Sequence, residues 1–283
     1  MMGPTGPIGP NPIGMFDSGL GGLTVLNSCL SLLPQEDFIY FGDTARLPYG
    51  NKSASTICRY SEEIAQFLSQ QDIKLLVVAC NTASSYAIHS LKKNLNIPVI
   101  GVIEPAVKMA LKEGKKRIGI LGTRGTIASE SYQKALLAHH PFLTLYPISC
   151  PLFVPLIEEG FIDHALTEKT IEHYLHPLKG NIDTLILGCT HYPLLADAIQ
   201  NYLGEDVVLI NSADSCAQEI KRVLKQEQIE KQDEKGGECR YFVTDDPSHF
   251  AQHARLFMDI KEEVVGVGCA MLLQQDTVNN LQD

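Results

Sequence analysis

Two short apolar runs, each ending in a cysteine, constrain the fold more than any other feature of the sequence. The first is Leu75–Thr82 (LLVVACNT) and the second is Leu185–Tyr192 (LILGCTHY). A continuous apolar run of this length is typical of a strand buried on both faces, and the Asn or Thr after the cysteine can start the next helix. The pattern predicts that Cys80 and Cys189 lie at the carboxyl ends of strands, where open α/β sheets bind ligands.

The alternation of strand-like and helix-like segments predicts the architecture. It runs from Ile13 to Ile103 and restarts at Arg117. Such alternation indicates parallel sheets with helices on both faces. We therefore predict an α/β protein of two pseudo-symmetric domains, each a mostly parallel sheet flanked by helices, with the active site at the domain interface. The predicted boundaries are 1–12 for a disordered Gly/Pro leader, 13–103 plus 212–265 for the first domain, 104–211 for the second domain and 266–283 for a tail.

The places of the two cysteines predict reactive thiols. A thiol at a helix start faces unpaired N–H groups and the positive end of the helix dipole, both of which favour thiolate. We expect one such helix from just after Cys80 to Asn94, and another, with Pro193 in its first turn, that ends at Leu203. Two thiols facing one pocket would remove a proton from one side of a carbon and deliver one on the other, which requires both pKa values to be drawn toward neutrality. The candidates for setting which sulfur holds the proton are Asp17, Glu158 and His191.

Glycine-rich turns follow the first strand of each half. Ser18–Gly22 and Gly122–Thr126 would let backbone N–H groups approach an anion closely. Their spacing matches neither the dinucleotide GxGxxG motif nor a P-loop. The loop Asp43–Ser53 after the second strand is either a pocket wall or a mobile surface connection.

Composition and charge exclude several classes of function. The net charge of -10 argues against nucleic acid as the main ligand. The apolar runs are strand-sized and the N-terminus lacks a signal-peptide pattern, so we expect a cytoplasmic protein that does not enter a membrane. The eight cysteines include neither a CxxC pair nor zinc-finger spacing, which predicts neither a disulfide framework nor a metal site.

Four motifs resemble the signature motifs of bacterial glutamate racemases, in the order in which that family has them. The motifs are Phe16–Gly22 (FDSGLGG), Phe41–Gly50 (FGDTARLPYG), Ala79–Ala83 (ACNTA) and Gly188–Pro193 (GCTHYP). The resemblance extends from about Ile13 to Val265. It implies a cofactor-independent isomerase that interconverts L- and D-glutamate, supplies D-glutamate for peptidoglycan and forms homodimers.

The resemblance also implies a role for each matching residue. Cys80 would act on D-glutamate and Cys189 on L-glutamate. Asp17 would assist Cys80, while His191, with Glu158, would assist Cys189. The substrate-binding residues that it implies are Asp17, Ser18, Tyr49, Gly50, Asn81, Thr82, Thr190 and His191, with Thr123 and Thr126 as further contacts. Backbone N–H, hydroxyl and amide groups of this kind bind carboxylates without a lysine or an arginine.

Other interpretations stay open at the level of sequence. Asp17 could only order its glycine turn, Glu158 could be half of an exposed acidic pair, and Tyr49 could simply pack its loop. The same two thiols would also serve a racemase for aspartate or another small amino acid. Rival functions from other classes are a binding role, since some glutamate racemases are described as inhibitors of DNA gyrase, and a dithiol redox protein.

Overall fold

The computed structural model describes residues 11–232, 235–269 and 272, and its strands form two parallel sheets. Most of the predicted leader, 1–10, and most of the predicted tail lie outside these residues. The Pro12 carbonyl accepts a hydrogen bond from the backbone N–H of Lys74 (3.0 Å). This bond joins the start of the described chain to the residue that precedes the first cysteine-bearing strand.

The strands divide between a six-stranded and a four-stranded sheet, in which all paired neighbours run parallel. In chain order they are β1 (Ile13–Asp17), β2 (Phe38–Gly42), β3 (Leu75–Val78), β4 (Val99–Gly101), β5 (Arg117–Gly122), β6 (Thr144–Ser149), β7 (Thr184–Gly188), β8 (Val208–Asn211), β9 (Cys239–Val243) and β10 (Val264–Gly266). The order across the first sheet is β10-β9-β2-β1-β3-β4, and across the second it is β6-β5-β7-β8. The prediction of two parallel-sheet α/β domains is confirmed.

The helices cover both faces of the sheets. They are α1 (Leu23–Leu32), α2 (Ala54–Ser69), α3 (Asn81–Tyr86), α4 (Ile88–Asn94), α5 (Ile103–Lys112), α6 (Arg124–Ser129), α7 (Ser131–His139), α8 (Phe153–Glu158), α9 (Ala165–Leu175), α10 (Ala196–Leu203), α11 (Ser212–Glu227) and α12 (Pro247–Ala254). In the first sheet, Met15 and Val77 belong to one apolar cluster, whereas Phe16 and Val78 belong to another on the opposite face. Because both faces are covered, the central strands are apolar along most of their length.

Strands from the end of the chain complete the first sheet. β9 pairs with β2, and β10 pairs with β9, so the polypeptide leaves the first sheet after β4, builds the second, and returns. Gly266, the first residue of the predicted tail, is the last residue of β10. Three residues are too few to give a recognisable alternation of apolar and polar side chains. The remaining domain boundaries stay a prediction.

The two helices expected after the cysteines differ from the prediction. The first is interrupted at Ala87, which separates α3 from α4. After the second cysteine, Tyr192–Leu195 forms a 3₁₀ turn and the α-helix begins only at Ala196. Pro193 has no N–H to donate, which suits a tight turn of this kind. Within the described residues, every helix is too short or too polar to cross a membrane.

Candidate active site

A small pocket lies where strand ends of the two sheets meet. Its walls come from the segments that follow β1, β2, β3, β5 and β7 and from α8, and its volume is about 60 Å³. Pockets for drug-sized ligands measure about 300–1,000 Å³, so this one suits a much smaller molecule. The residues that line it are Ser18, Gly19, Leu20, Leu47, Pro48, Tyr49, Gly50, Cys80, Asn81, Thr82, Thr123, Val154, Glu158, Cys189, Thr190 and His191.

The structure brings most of the predicted site residues to this pocket. Only Asp17 and Thr126 are absent from its wall, and both are fully buried directly behind it. The sequence analysis missed several pocket residues, namely Gly19, Leu20, Leu47, Pro48 and Val154. Gly19 and Pro48 directly adjoin a predicted residue along the chain, and Leu20 and Leu47 lie two positions from one. Val154 lies one helical turn before Glu158 on α8. The i, i+4 spacing was therefore a usable signal for Val154.

Cys80 is the N-cap residue of α3, and its sulfur accepts a hydrogen bond from the backbone N–H of Ala83 (3.5 Å). Its thiol also lies 3.8 Å from the Ser18 hydroxyl. Burial, followed by the Asp17 carboxylate, raises the pKa of Cys80 to about 12, against the opposing effects of Ala83 and Ser18. The expectation that the helix start draws this pKa toward neutrality is wrong, because removal of water from the sulfur outweighs one backbone donor.

Asp17 lies beneath the glycine-rich turn and close to Cys80. Its Oδ2 atom accepts a hydrogen bond from the backbone N–H of Gly19 (2.9 Å). Burial raises the pKa of Asp17, while the positive charge of His191 and the N–H groups of the turn act in the opposite direction. The Asp17 carboxyl group therefore orders the turn, and it also helps to raise the pKa of Cys80.

Cys189 is paired with an imidazole instead of a helix start. Its sulfur lies 3.9 Å from Nδ1 of His191, and the other ring nitrogen, Nε2, lies 2.9 Å from Oε1 of Glu158. Burial disfavours the charged imidazole, but hydrogen bonds with Cys189 and Glu158 outweigh it and raise the pKa of His191 to about 10. The Phe257 ring packs edge-on against this imidazole, with 5.3 Å between the ring centroids. His191 is thus positively charged near neutral pH and lies between two acidic groups.

The two cysteines are therefore not structurally equivalent, contrary to our prediction. Thr190 and His191 separate Cys189 from the 3₁₀ turn, so this sulfur does not cap a helix. The close approach of His191 depends on Gly21, at which an added Cβ would lie 2.3 Å from Nδ1 of His191 and 2.3 Å from Oγ1 of Thr190. Glycine at this position leaves the space that the imidazole occupies.

Three hydroxyl groups, which we call the threonine cluster, join the two domains beside the pocket. Thr82 on α3 lies 2.9 Å from Thr123 and 3.3 Å from Thr126, measured between the hydroxyl oxygens. Thr123 also caps α6 by accepting a hydrogen bond from the backbone N–H of Thr126 (3.2 Å). These contacts hold α3 and α6 together at the edge of the pocket.

The loop after β2 is a pocket wall, since its residues Leu47, Pro48, Tyr49 and Gly50 all line the cavity. It is fixed from behind: the Tyr49 hydroxyl donates to Asp43, which also accepts a hydrogen bond from Thr244 (2.9 Å). The Arg46 guanidinium pairs with Asp43 (2.8 Å) and Glu63 and lies over the Tyr60 ring. Arg46 points away from the pocket and supports the loop.

Apart from the two thiols, His191 and Glu158, the polar lining of the pocket consists of neutral groups that suit a small anion. Hydroxyl, amide and backbone groups line it, whereas none of the lining residues is a lysine or an arginine. Both sulfurs reach the same cavity, and the charge of Cys189 is among the causes that raise the pKa of Cys80. Among the described residues, no group of three or more His, Cys, Asp or Glu side chains could hold a metal ion. The arrangement provides two thiols that line one cavity and follow strands of different sheets, each with an acidic residue nearby.

A comparison with known families and proteins gives consistent matches. A family model described as Asp/Glu/Hydantoin racemase matches residues 18–220. A glutamate racemase from Geobacter metallireducens is 48% identical over 248 residues, which cover 87% of this chain and 92% of that protein.

Solved structures with the same fold include two glutamate racemases. A glutamate racemase isoform from Bacillus anthracis has a TM-score of 0.88 and 40% identity, and the match covers 91% of this chain and 97% of that one. The Francisella tularensis enzyme, solved in complex with D-glutamate, has a TM-score of 0.86 and 36% identity, with 92% of this chain and 98% of that one covered.

Proposed function

Because this chain belongs to the Asp/Glu/Hydantoin racemase family, we propose that it is a glutamate racemase that interconverts L- and D-glutamate without a cofactor. The observation that carries the proposal is that Cys80 and Cys189 line one small pocket from two different sheets. The similarity to glutamate racemases extends over most of the chain and supports the same substrate. The enzyme is an isomerase.

The reaction removes the α-proton from one face of the α-carbon and adds a proton to the opposite face. With L-glutamate bound, the Cys189 thiolate removes the α-proton and the Cys80 thiol delivers its own proton to the opposite face, which gives D-glutamate, a Cys189 thiol and a Cys80 thiolate. The reverse reaction exchanges these roles. The raised pKa of Cys80 keeps it protonated in the empty pocket, so the enzyme is ready to accept L-glutamate.

Neighbouring groups assist each thiol. The positive charge of His191, itself held by Glu158, lies next to Cys189 and stabilises negative charge on that sulfur. Asp17 assists Cys80 from behind the pocket. The remaining pocket residues that we predicted hold the two carboxylates and the amino group of the substrate, with Thr126 acting through Thr82 and Thr123.

The cellular role follows from the reaction. D-Glutamate is a building block of peptidoglycan, so the enzyme serves cell-wall synthesis. All eight cysteines are free, which fits a reducing compartment and supports a cytoplasmic location. We retain the predicted homodimer as part of the proposal, and light scattering coupled to size-exclusion chromatography tests it.

Racemisation in deuterated water tests the proposal. We expect either enantiomer of glutamate to lose its optical rotation and to gain one solvent deuterium at the α-carbon, as seen by proton NMR. Aspartate at the same concentration should react far more slowly. A clear preference for aspartate would overturn the assignment of glutamate as the substrate. Loss of optical rotation without deuterium incorporation at the α-carbon would overturn the two-thiol mechanism.

A further inference from the structure

Asn81 and Tyr132 come from different domains and meet at the back of the pocket. We propose that the Tyr132 hydroxyl is a positioning group that fixes the Asn81 side-chain amide, so that the amide N–H₂ group faces a carboxylate of bound glutamate. This inference rests on the proposed function, because it assigns how part of the substrate is held.

The contact is short and fully buried. The Tyr132 hydroxyl, on α7, donates a hydrogen bond to Oδ1 of Asn81 (2.6 Å), the first residue of α3. Asn81 follows Cys80 directly and lines the pocket, whereas Tyr132 does not reach the cavity. Tyr132 therefore acts on a pocket residue without contacting the ligand itself.

The other end of the Asn81 amide is unused. Among the described residues, its Nδ2 atom is buried and has no hydrogen-bond partner. A buried amide N–H₂ without an acceptor is costly, and glutamate brings two carboxylates into this pocket. Because a phenol donor selects the oxygen end of the amide, it leaves the nitrogen end for the ligand.

Tyr132 is well suited to remain a donor. Burial, followed by the negative charges of Cys189 and Cys216, raises the pKa of Tyr132 well above its ordinary value, so the hydroxyl keeps its proton. The ring also packs on the second cysteine's strand, since a Cβ added at Gly188 would lie 3.0 Å from its Cε2 atom. Tyr132 thus links the neighbour of one catalytic cysteine to the neighbour of the other.

The chain contains a matched control in Tyr86. Its hydroxyl donates a hydrogen bond to the backbone carbonyl of Gly125 (2.8 Å), and this bond also joins α3 to the second domain. Mutating Tyr86 to Phe removes the same kind of contact between domains, but Tyr86 does not touch Asn81. A general loss of packing between domains would affect both tyrosines, whereas loss of amide positioning would affect Tyr132 alone.

Steady-state racemisation of four variants tests the inference. Tyr132→Phe should raise the KM for both enantiomers about tenfold and change kcat by less than about threefold, because the lost contact acts in ground and transition states alike. Tyr86→Phe should leave both constants within about twofold of the wild type. In the Asn81→Ala background, Tyr132→Phe should add less than about twofold, since Tyr132 acts through Asn81. The inference would be overturned if Tyr132→Phe and Tyr86→Phe changed KM equally. It would also be overturned if the effects of Tyr132→Phe and Asn81→Ala on KM were additive.

A second variant keeps the test decisive if Tyr132→Phe does not fold. Asn81→Asp preserves an acceptor for Tyr132 but replaces the N–H₂ group with an oxygen that repels a carboxylate. We expect its affinity for D-glutamate, measured by calorimetry, to fall more than about tenfold. Unchanged affinity would overturn the inference. The proposed function is tested separately, on the wild-type protein with glutamate and aspartate in deuterated water, so the two failures are distinguishable.

Discussion

Oε1 of Glu158 lies 2.9 Å from Nε2 of His191, and this contact joins α8 to the segment that carries Cys189. The first cysteine has a different environment, in which a helix start and a buried carboxyl group surround the sulfur. The pocket therefore contains two thiols whose surroundings differ in charge. This asymmetry gives each half of the site its own expected response to mutation and to pH.

Replacing either cysteine should greatly slow racemisation but leave proton exchange on one face of the substrate. In Cys80→Ser, Cys189 still removes and returns a proton on one face, so L-glutamate should exchange its α-proton for deuterium without inversion. Cys189→Ser should do the same with D-glutamate. Racemisation should fall by about 10²- to 10⁴-fold in each variant, as is typical for loss of a general acid or base.

Proton NMR in deuterated water, combined with a chiral assay of the product, measures both quantities. Cys58→Ser serves as the control, since Cys58 lies outside the pocket and contacts the Tyr86 carbonyl. Exchange on both enantiomers in a single-cysteine variant would contradict the assignment of one thiol to each face.

The raised pKa of His191 predicts how stability depends on pH. The imidazole titrates near 10 in the folded protein and near about 6.5 when unfolded, so the folded state binds this proton more tightly. Its contribution to stability is complete below about pH 6.5 and is lost as pH rises toward about 10. The difference in free energy of unfolding between wild type and His191→Gln should therefore shrink over this range.

Urea unfolding at several pH values measures that difference. Glu158→Gln removes one of the groups that raise the pKa of His191. Its effect on the free energy of unfolding should therefore have the same sign as that of His191→Gln and a smaller size. A difference that stays constant from pH 6.5 to pH 10 would show that His191 does not hold its proton in this way.

Adding a methyl group at Gly21 should displace the imidazole. The new Cβ in Gly21→Ala would occupy space within 2.3 Å of Nδ1 of His191, so the ring must move. A displacement of about 1 Å at a catalytic group costs about 10²-fold in rate, which is the loss we expect in kcat. Gly236→Ala is the control, because a Cβ at Gly236 meets no atom of the described residues within 4 Å. Equal kcat values for the two variants would contradict this prediction.

Arg46 should contribute to stability far more than its neighbour Arg59. Both pair with Glu63, but Arg46 also pairs with Asp43, and only 11% of its side chain is exposed, compared with 58% for Arg59. Arg46→Met removes the cation that pairs with the buried Asp43 and leaves Glu63 with only the exposed Arg59, so it should lower the free energy of unfolding by about 3 kcal/mol. Arg59→Met should lower it by less than about 1 kcal/mol. Chemical denaturation of both variants checks the comparison.

Much of the fold and the position of both cysteines could be predicted from the sequence. The apolar runs before Cys80 and Cys189 are buried on both faces of a sheet, and a pattern of that kind depends on adjacent residues alone. The motifs around them also predicted most of the pocket wall. The places of these residues are therefore encoded locally, while their individual roles stay predictions.

Features that depend on distant parts of the chain could not be predicted. The pKa of Cys80 is controlled by its burial, which requires the loops of both domains to be in place. Tyr132 reaches Asn81 from 51 residues further along the chain, and no local pattern marks it. His191 contacts Glu158, which lies 33 residues earlier in the chain on another element, and no local pattern marks this contact.

The threonine cluster has a consequence for how salt affects the contact between the two domains. Thr82 joins Thr123 and Thr126 through hydroxyl groups, which carry no net charge and rotate about a single bond. Dissolved ions screen ion pairs but have little effect on such neutral contacts. The association of α3 with α6 at this junction should therefore depend little on the ionic strength of the solution.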